Sequence, residues 1–265
     1  VLLTGCGKQT AGSAAGASAA AGAAKTMLNI GMVLEPSGLD PTAAAAAAIG
    51  EITLYNVYET LTKITQDGSV QPLLATSWTP SADHKVWTFK LLDGVKFQNG
   101  EAFNAETVRF AFTRAAAETS TNKDKALFQS FECIETPDAQ TVVLHVRTPN
   151  PDIPFLLAQA TAVIVEPKSA DSNATAPVGT GPYQLDQWRK GASLSLKKWD
   201  GFRAAANIAL SGATFRFIAD SAAQAAALLS GDVDVFPRVQ IARSIDQFKN
   251  NPRFQVLTGV SYAKT

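Results

Sequence analysis

Histidine, cysteine and methionine each occur only twice in these 265 residues. His84 and His145 have no cysteine or second histidine at metal-ligand spacing, so the sequence offers no transition-metal site. Cys6 and Cys133 are too few for a disulfide scaffold. Cys133 is expected to be a free, buried thiol, because unpaired cysteine packs as a small apolar side chain. No Gly-x-Ser-x-Gly elbow and no Walker A loop occurs. Gly179-Thr180-Gly181 starts like a dinucleotide loop, but Pro182 and Tyr183 follow and no glycine completes it, so it reads as a tight structural turn. Neither sign of charge is in excess: Lys plus Arg and Asp plus Glu each total 23. A chain without net charge has no global field to draw in nucleic acid. Apolar runs all stop well short of the roughly 20 residues that a membrane-spanning helix needs.

What is present is a globular composition, 46% hydrophobic, and length for one large or two modest domains. The first 26 residues stand apart. Residues 7–24 are almost wholly Gly, Ala and Ser, too poor in apolar mass to join a core, and they read as a flexible tether. Before them, Leu3-Thr4-Gly5-Cys6 resembles the lipobox of bacterial lipoproteins, which implies cleavage before Cys6 and acylation of its thiol.

Folding signals begin at Met27. Residues 27–34 form an apolar run of strand length that stops at Glu35-Pro36-Ser37-Gly38. Leu54, Val57, Tyr58 and Leu61 recur at helical spacing, which predicts a helix from Ile52. Trp87, Phe89 and Leu91 alternate with Val86, Thr88 and Lys90. Asp93-Gly94 then turns the chain, and Val95 and Phe97 suggest the returning arm of a hairpin. Asn104 is a good N-cap, with Glu106 where a helix dipole favours an acid, and Val108, Ala111, Phe112 and Ala115 make the apolar stripe behind it. Val142, Leu144 and Val146 mark a strand. So do Leu194 with Leu196, Phe215 with Phe217, and Val233 with Val235. An Ala/Leu helix spans 221–230 and stops at Gly231. The four tryptophans, Trp78, Trp87, Trp188 and Trp199, are expected to pack cores, and Glu132 and Glu135 to be solvated.

Several blocks follow one another in order: Leu39-Asp40-Pro41, Tyr58-Glu59-Thr60-Leu61, Asp67-Gly68, Trp87-Thr88-Phe89-Lys90-Leu91, Asn99-Gly100-Glu101, Pro177-Val178-Gly179-Thr180-Gly181-Pro182-Tyr183 and Ser230-Gly231-Asp232-Val233-Asp234-Val235. This ordered set resembles the family 5 extracellular solute-binding proteins, from about residue 28 onward. The resemblance implies a mixed α/β fold of periplasmic-binding-protein type, class C, with an extra small domain. Family members are longer and carry a third domain, so the resemblance also implies an N-terminal fragment with domain III missing. On that basis residues 1–26 are leader remnant, lipobox and tether. Residues 27–53 and 170–265 belong to domain I, and residues 54–169 form domain II.

The implied function is that of a non-enzymatic receptor that captures a small, peptide-like solute by hinge closure and hands it to an ABC transporter permease. It would sit in the periplasm or at the cell surface of a bacterium, held to the membrane by a lipid on Cys6, and would use no cofactor, no metal and no nucleic acid. In the family the stretch after Leu-Asp-Pro lines the cleft, which maps to Thr42, Ala45, Ala46 and Ile49. The same small residues equally suit the start of a helix, and the two readings are compatible. Asn122, in the loop after the 104–117 helix, and Thr161 are the other implied ligand contacts. Two other readings stay open: a periplasmic peptide hydrolase, and a chemoreceptor or chaperone-like peptide binder on the same fold.

Overall fold

The computed structural model describes residues 25–44, 46–239 and 245–257. Cys6, the tether and Ala45 lie outside the described residues. In chain order the elements are β1 (Met27–Met32), α1 (Ala47–Thr53), β2 (Thr62–Ile64), β3 (Val70–Pro72), β4 (Ala75–Pro80), β5 (Val86–Leu91), α2 (Ala105–Ala116), α3 (Lys125–Gln129), β6 (Phe131–Asp138), β7 (Thr141–Val146), α4 (Ile153–Leu156), β8 (Tyr183–Arg189), β9 (Ser193–Lys198), β10 (Gly212–Phe217), α5 (Ser221–Ser230) and α6 (Ile245–Lys249).

Two four-stranded sheets carry the fold. In the first, ordered β1-β10-β9-β8, β1 runs parallel to β10 with Met27 opposite Gly212 and Met32 opposite Phe217, while β9 is antiparallel to both its neighbours. The second, β4-β5-β7-β6, is antiparallel throughout. Its strands alternate as an antiparallel sheet covered on one face should. Trp87, Phe89 and Leu91 of β5 and Val142, Leu144 and Val146 of β7 are buried. Against that sheet α2 lays Val108, Ala111, Phe112 and Ala115, all buried. Phe112 meets Phe128 at 5.4 Å and Phe131 at 5.9 Å between ring centroids, tilted contacts that tie α2 to α3 and β6. The expected cap is present. Asn104 accepts from Thr107 N–H, and its own N–H donates to the Thr107 hydroxyl, with Glu106 in the first turn.

Four expectations are corrected. The helix expected from Ile52 ends there instead, since α1 spans Ala47–Thr53. Tyr55 takes a left-handed φ of 61°, and Asn56 Nδ2 caps the carbonyl of Ile52 at 2.9 Å, so the chain leaves the helix. Val57, Tyr58 and Leu61 are buried all the same, but as extended and turn residues. The hairpin of β5 with 95–97 does not form. β5 pairs with β4 and β7, and residue Phe97 donates its N–H to Glu101 O at 2.8 Å in a loop of its own. A bulge between Ala75 and Ser77 disturbs the alternation of β4, which hides the true partner strand. Cys133 is exposed, not buried, because a bulge between Phe131 and Cys133 shifts the alternation of β6, so that Ile134 and not Cys133 follows Phe131 onto the inner face. The 233–235 strand is reduced to a parallel bridge of Val235 with Ile30, with Asp234 N–H bonded to Asn29 O at 2.8 Å.

Candidate functional site

Two buried polar nodes fix the loops from which the candidate site is built. The first joins Tyr58-Glu59-Thr60-Leu61 to the Gly179-Thr180-Gly181 turn. Glu59, 3% exposed, takes both Nη atoms of Arg203 at 2.7 Å and the Thr180 hydroxyl at 2.9 Å. The turn sits on backbone: Gly181 N–H donates to Val57 O at 2.9 Å, and Tyr183 N–H to Asn56 O at 2.9 Å. A Cβ at Gly179 would stand 2.0 Å from Val57 O, and one at Gly181 2.4 Å from Asn56 O, so only glycine allows this approach.

In the second node, Asp40 Oδ1 accepts from the N–H and hydroxyl of Thr42, at 2.8 and 2.6 Å. Arg114, near the end of α2, donates to the Thr42 hydroxyl at 2.7 Å, and to Asp40 Oδ2 and Ala170 O at 3.2 Å each. The neighbouring loops are stitched on in the same way. Thr121 donates to Ala43 O at 2.6 Å, Asn122 Nδ2 to Thr161 O at 2.9 Å, and the Thr161 hydroxyl to Asp124 Oδ2 at 2.6 Å. Tyr58 is buried nearby. Burial first, and the Asp40 carboxylate second, push its phenol well above its usual range, so it stays neutral.

Beside the first sheet lies a cavity of about 350 Å³. Gly31 to Glu35, at and beyond the end of β1, form one wall, Ala46 to Ala48 and Glu51 of the α1 region another, and Pro237 with Arg238 a third. The third wall is brought in by the bridge of Val235 to β1. Gly31 N–H bonds Val235 O at 2.8 Å, and Phe236 covers the bare face of Gly31, where a Cβ would be 2.1 Å from the ring. The lining is mostly apolar, and its charged groups are Glu35, Glu51 and Arg238. Glu35 is engaged elsewhere: it accepts from Trp188 Nε1 at 2.8 Å and from Gly191 N–H at 2.9 Å. Glu51 forms an ion pair with Arg238. A second, more polar cavity of about 500 Å³ is lined by Thr42, Ala43, Arg114, Thr121 and Asp171, among others.

The structure therefore brings the three sequence-derived segments together but assigns them different surroundings. Ala46 is exposed and lines the first cavity. Thr42, 6% exposed, lines the second and has its hydroxyl occupied by Asp40 and Arg114. Asn122 and Thr161 are buried and bonded to each other. Ile49 is fully buried, one turn inside α1. Arg114, Arg203, Glu51 and Arg238 escaped sequence reasoning, because no local pattern marks an arginine whose partner lies in a distant segment. Among the described residues no group of three or more His, Cys, Asp or Glu is placed to hold a metal ion, and no helix is long and apolar enough to cross a membrane.

Residues 69–265 match the model of the bacterial extracellular solute-binding proteins, family 5 Middle. The glutathione-binding protein GsiB of Escherichia coli K12 is 29% identical over 209 residues, which cover 77% of this chain and 40% of that protein. The binding protein AgaA of A. tumefaciens R10, solved with agropinic acid, superposes with a TM-score of 0.79 at 29% identity, over 85% of this chain and 46% of that one. DppA of Helicobacter pylori, solved with the peptide STSA, shares the fold with a TM-score of 0.76 at 24% identity, over 85% of this chain and 49% of that one. The chain thus spans less than half the length of these relatives.

Proposed function

The chain belongs to the bacterial extracellular solute-binding proteins of family 5, and from that premise we propose that the whole protein is a non-enzymatic receptor that captures a small solute and delivers it to an ABC importer permease. The observation that carries this reading is the 350 Å³ cavity at the end of β1, apolar over most of its wall with a few charged groups, which is the character of a small-molecule site. In this reading Ala46, with Ala45 beside it, touches the solute, small side chains leaving room for it. Thr42, Ile49, Asn122 and Thr161 hold the walls behind. The solute is peptide-like, a reading supported by relatives that bind glutathione and a short peptide. Capture proceeds by hinge closure, with the solute held between domain I and the family's domain III, and domain II an accessory lobe. Residues 27–53 and 170–265, which supply β1 and β8–β10, form one lobe, and 54–169, which supply β4–β7, form the second domain. The receptor works in the periplasm or at the cell surface, anchored by a lipid on Cys6.

Thermal unfolding of the full-length gene product against peptides, opines, sugars and metal chelates tests this. A ligand that binds only the native state raises Tm, by an amount that grows with the logarithm of its concentration above Kd. A shift with at least one small solute, without turnover of that solute, is the expected result. No shift with any class, or product released from a bound peptide, would overturn the receptor reading.

A further inference from the structure

The second cavity, of about 500 Å³, shares no lining residue with the one at the end of β1. Phe110 and Arg114 of α2 line one side of it, and Pro167 and Asp171, far along the chain, line another. Buried Thr42 lies between them, and Thr119 and Ser120 come from the turn after α2.

The charges on this wall are unevenly answered. Arg114 is paired with the buried Asp40 carboxylate at 3.2 Å, so its guanidinium brings no net charge to the cavity. Its bonds to Thr42, Asp40 and Ala170 use three of its five N–H groups, which leaves Nε and one hydrogen of Nη1 to give. Asp171 is exposed, and among the described residues its carboxylate takes no hydrogen bond and no ion pair. The Thr119 hydroxyl is equally open among the described residues. Ser120 Oγ accepts from Asn122 N–H at 3.2 Å and keeps its own proton to give. The cavity therefore offers donors and acceptors side by side, next to the half-buried ring of Phe110.

That mixture sorts ligands by charge. A carboxylate or phosphate that took the Arg114 donors would meet Asp171. An ammonium that took Asp171 has no lone pair for the Arg114 donors. An apolar solute would strip water from all these groups and offer no bond in return. A hydroxyl both gives and accepts, so neighbouring hydroxyls on one molecule answer Asp171, Arg114, Thr119 and Ser120 together. The C–H face of a sugar ring would rest on Phe110 and Pro167. We propose that this cavity is a second binding site, separate from the one at the end of β1, for an uncharged polyhydroxylated ligand of the saccharide class.

The test uses the full-length protein with glucose, sucrose and N-acetylglucosamine as neutral probes, and glucosamine and glucuronate as charged ones. Titration calorimetry is expected to find at least one neutral sugar bound, and both charged sugars tenfold weaker or more. Asp171→Ala and Thr119→Val alter exposed side chains, so folding should be kept while affinity for the neutral sugar falls tenfold or more. Asp171→Asn, which keeps an accepting oxygen and sheds the charge, should retain the neutral sugar and admit glucuronate. Ala46→Trp, which obstructs the first cavity, separates the two sites. Sugar binding that survives Asp171→Ala and Thr119→Val but is lost in Ala46→Trp belongs to the first cavity; it would overturn this inference and leave the receptor reading standing. Binding of none of the neutral sugars, or of the charged sugars as tightly as the neutral ones, would overturn it as well.

Discussion

Arg203 and Glu59, 144 residues apart in sequence, are joined by two parallel hydrogen bonds of 2.7 Å, one from each Nη to each carboxylate oxygen. The carboxylate is buried, and Thr180 supplies a third donor at 2.9 Å. With its charge and its lone pairs answered, Glu59 can sit between Tyr58 and Thr60, both fully buried. Its backbone serves as well, since Ile164 N–H donates to Glu59 O at 2.9 Å.

Removing one half of a buried pair leaves the other uncompensated. Arg203→Met is therefore expected to cost about 3 kcal/mol of unfolding free energy. The paired change Glu59→Leu with Arg203→Leu should recover most of it, since an apolar pair leaves no stranded charge. Urea denaturation of the two variants checks this, and a double variant as unstable as the single one would contradict it.

The Gly179 and Gly181 contacts with the backbone of Val57 and Asn56 leave no room for a methyl group. Gly181→Ala is expected to destabilise by roughly 2 kcal/mol or more, through displaced backbone and the lost Gly181 N–H to Val57 O bond. Amide hydrogen exchange should show the loss concentrated at Gly181 and Tyr183.

Asn104→Ala removes the side-chain acceptor for Thr107 N–H at the start of α2 and is expected to cost about 1 kcal/mol. Asn104→Asp keeps the acceptor and adds a charge favoured at a helix start, so it should sit near wild type in the same denaturation assay.

Two groups make the pH dependence specific. Asp67 is held down to about 2, chiefly by the Thr65 hydroxyl and then by Ser69 N–H. Its proton is bound more weakly in the folded chain than in the unfolded one, so its contribution is present above the unfolded carboxyl range near ~4 and is lost as pH falls towards 2. Tyr58 has the opposite sign. Its folded value lies well above 10, raised mainly by burial, so its contribution holds below the unfolded value and fades as pH climbs past it. Tm followed against pH should show a weaker acid limb in Asp67→Asn and a weaker alkaline limb in Tyr58→Phe.

Local chemistry was readable where one segment decides the outcome. Asn104 with its apolar stripe, the alternation of 86–91 and 141–146, and the helix that stops at Gly231 all need only neighbours within a few residues. What escaped depends on distant partners. The periodicity of Leu54, Val57, Tyr58 and Leu61 reports burial and not helix, because Tyr55 turns the chain the other way. The partner of β5 was hidden by a bulge in β4. At the candidate site, Ala46 could be placed by its position after the Leu39-Asp40-Pro41 block. Arg238 could not, since it reaches the cavity only once Val235 is bridged to Ile30 and Phe236 lies on Gly31.

Synthesis runs from one end of a polypeptide to the other, and β1 must wait for its neighbour. Its parallel partner β10 starts at Gly212, 185 positions after Met27, whereas β4 to β7 are drawn from one continuous stretch of 72 residues, Ala75 to Val146. The antiparallel sheet can close while the ribosome is still at work on the other. Among the described strands the first to emerge is thus clasped only after β4 to β7 can have closed, and until then its hydrogen-bonding edges remain open to strangers.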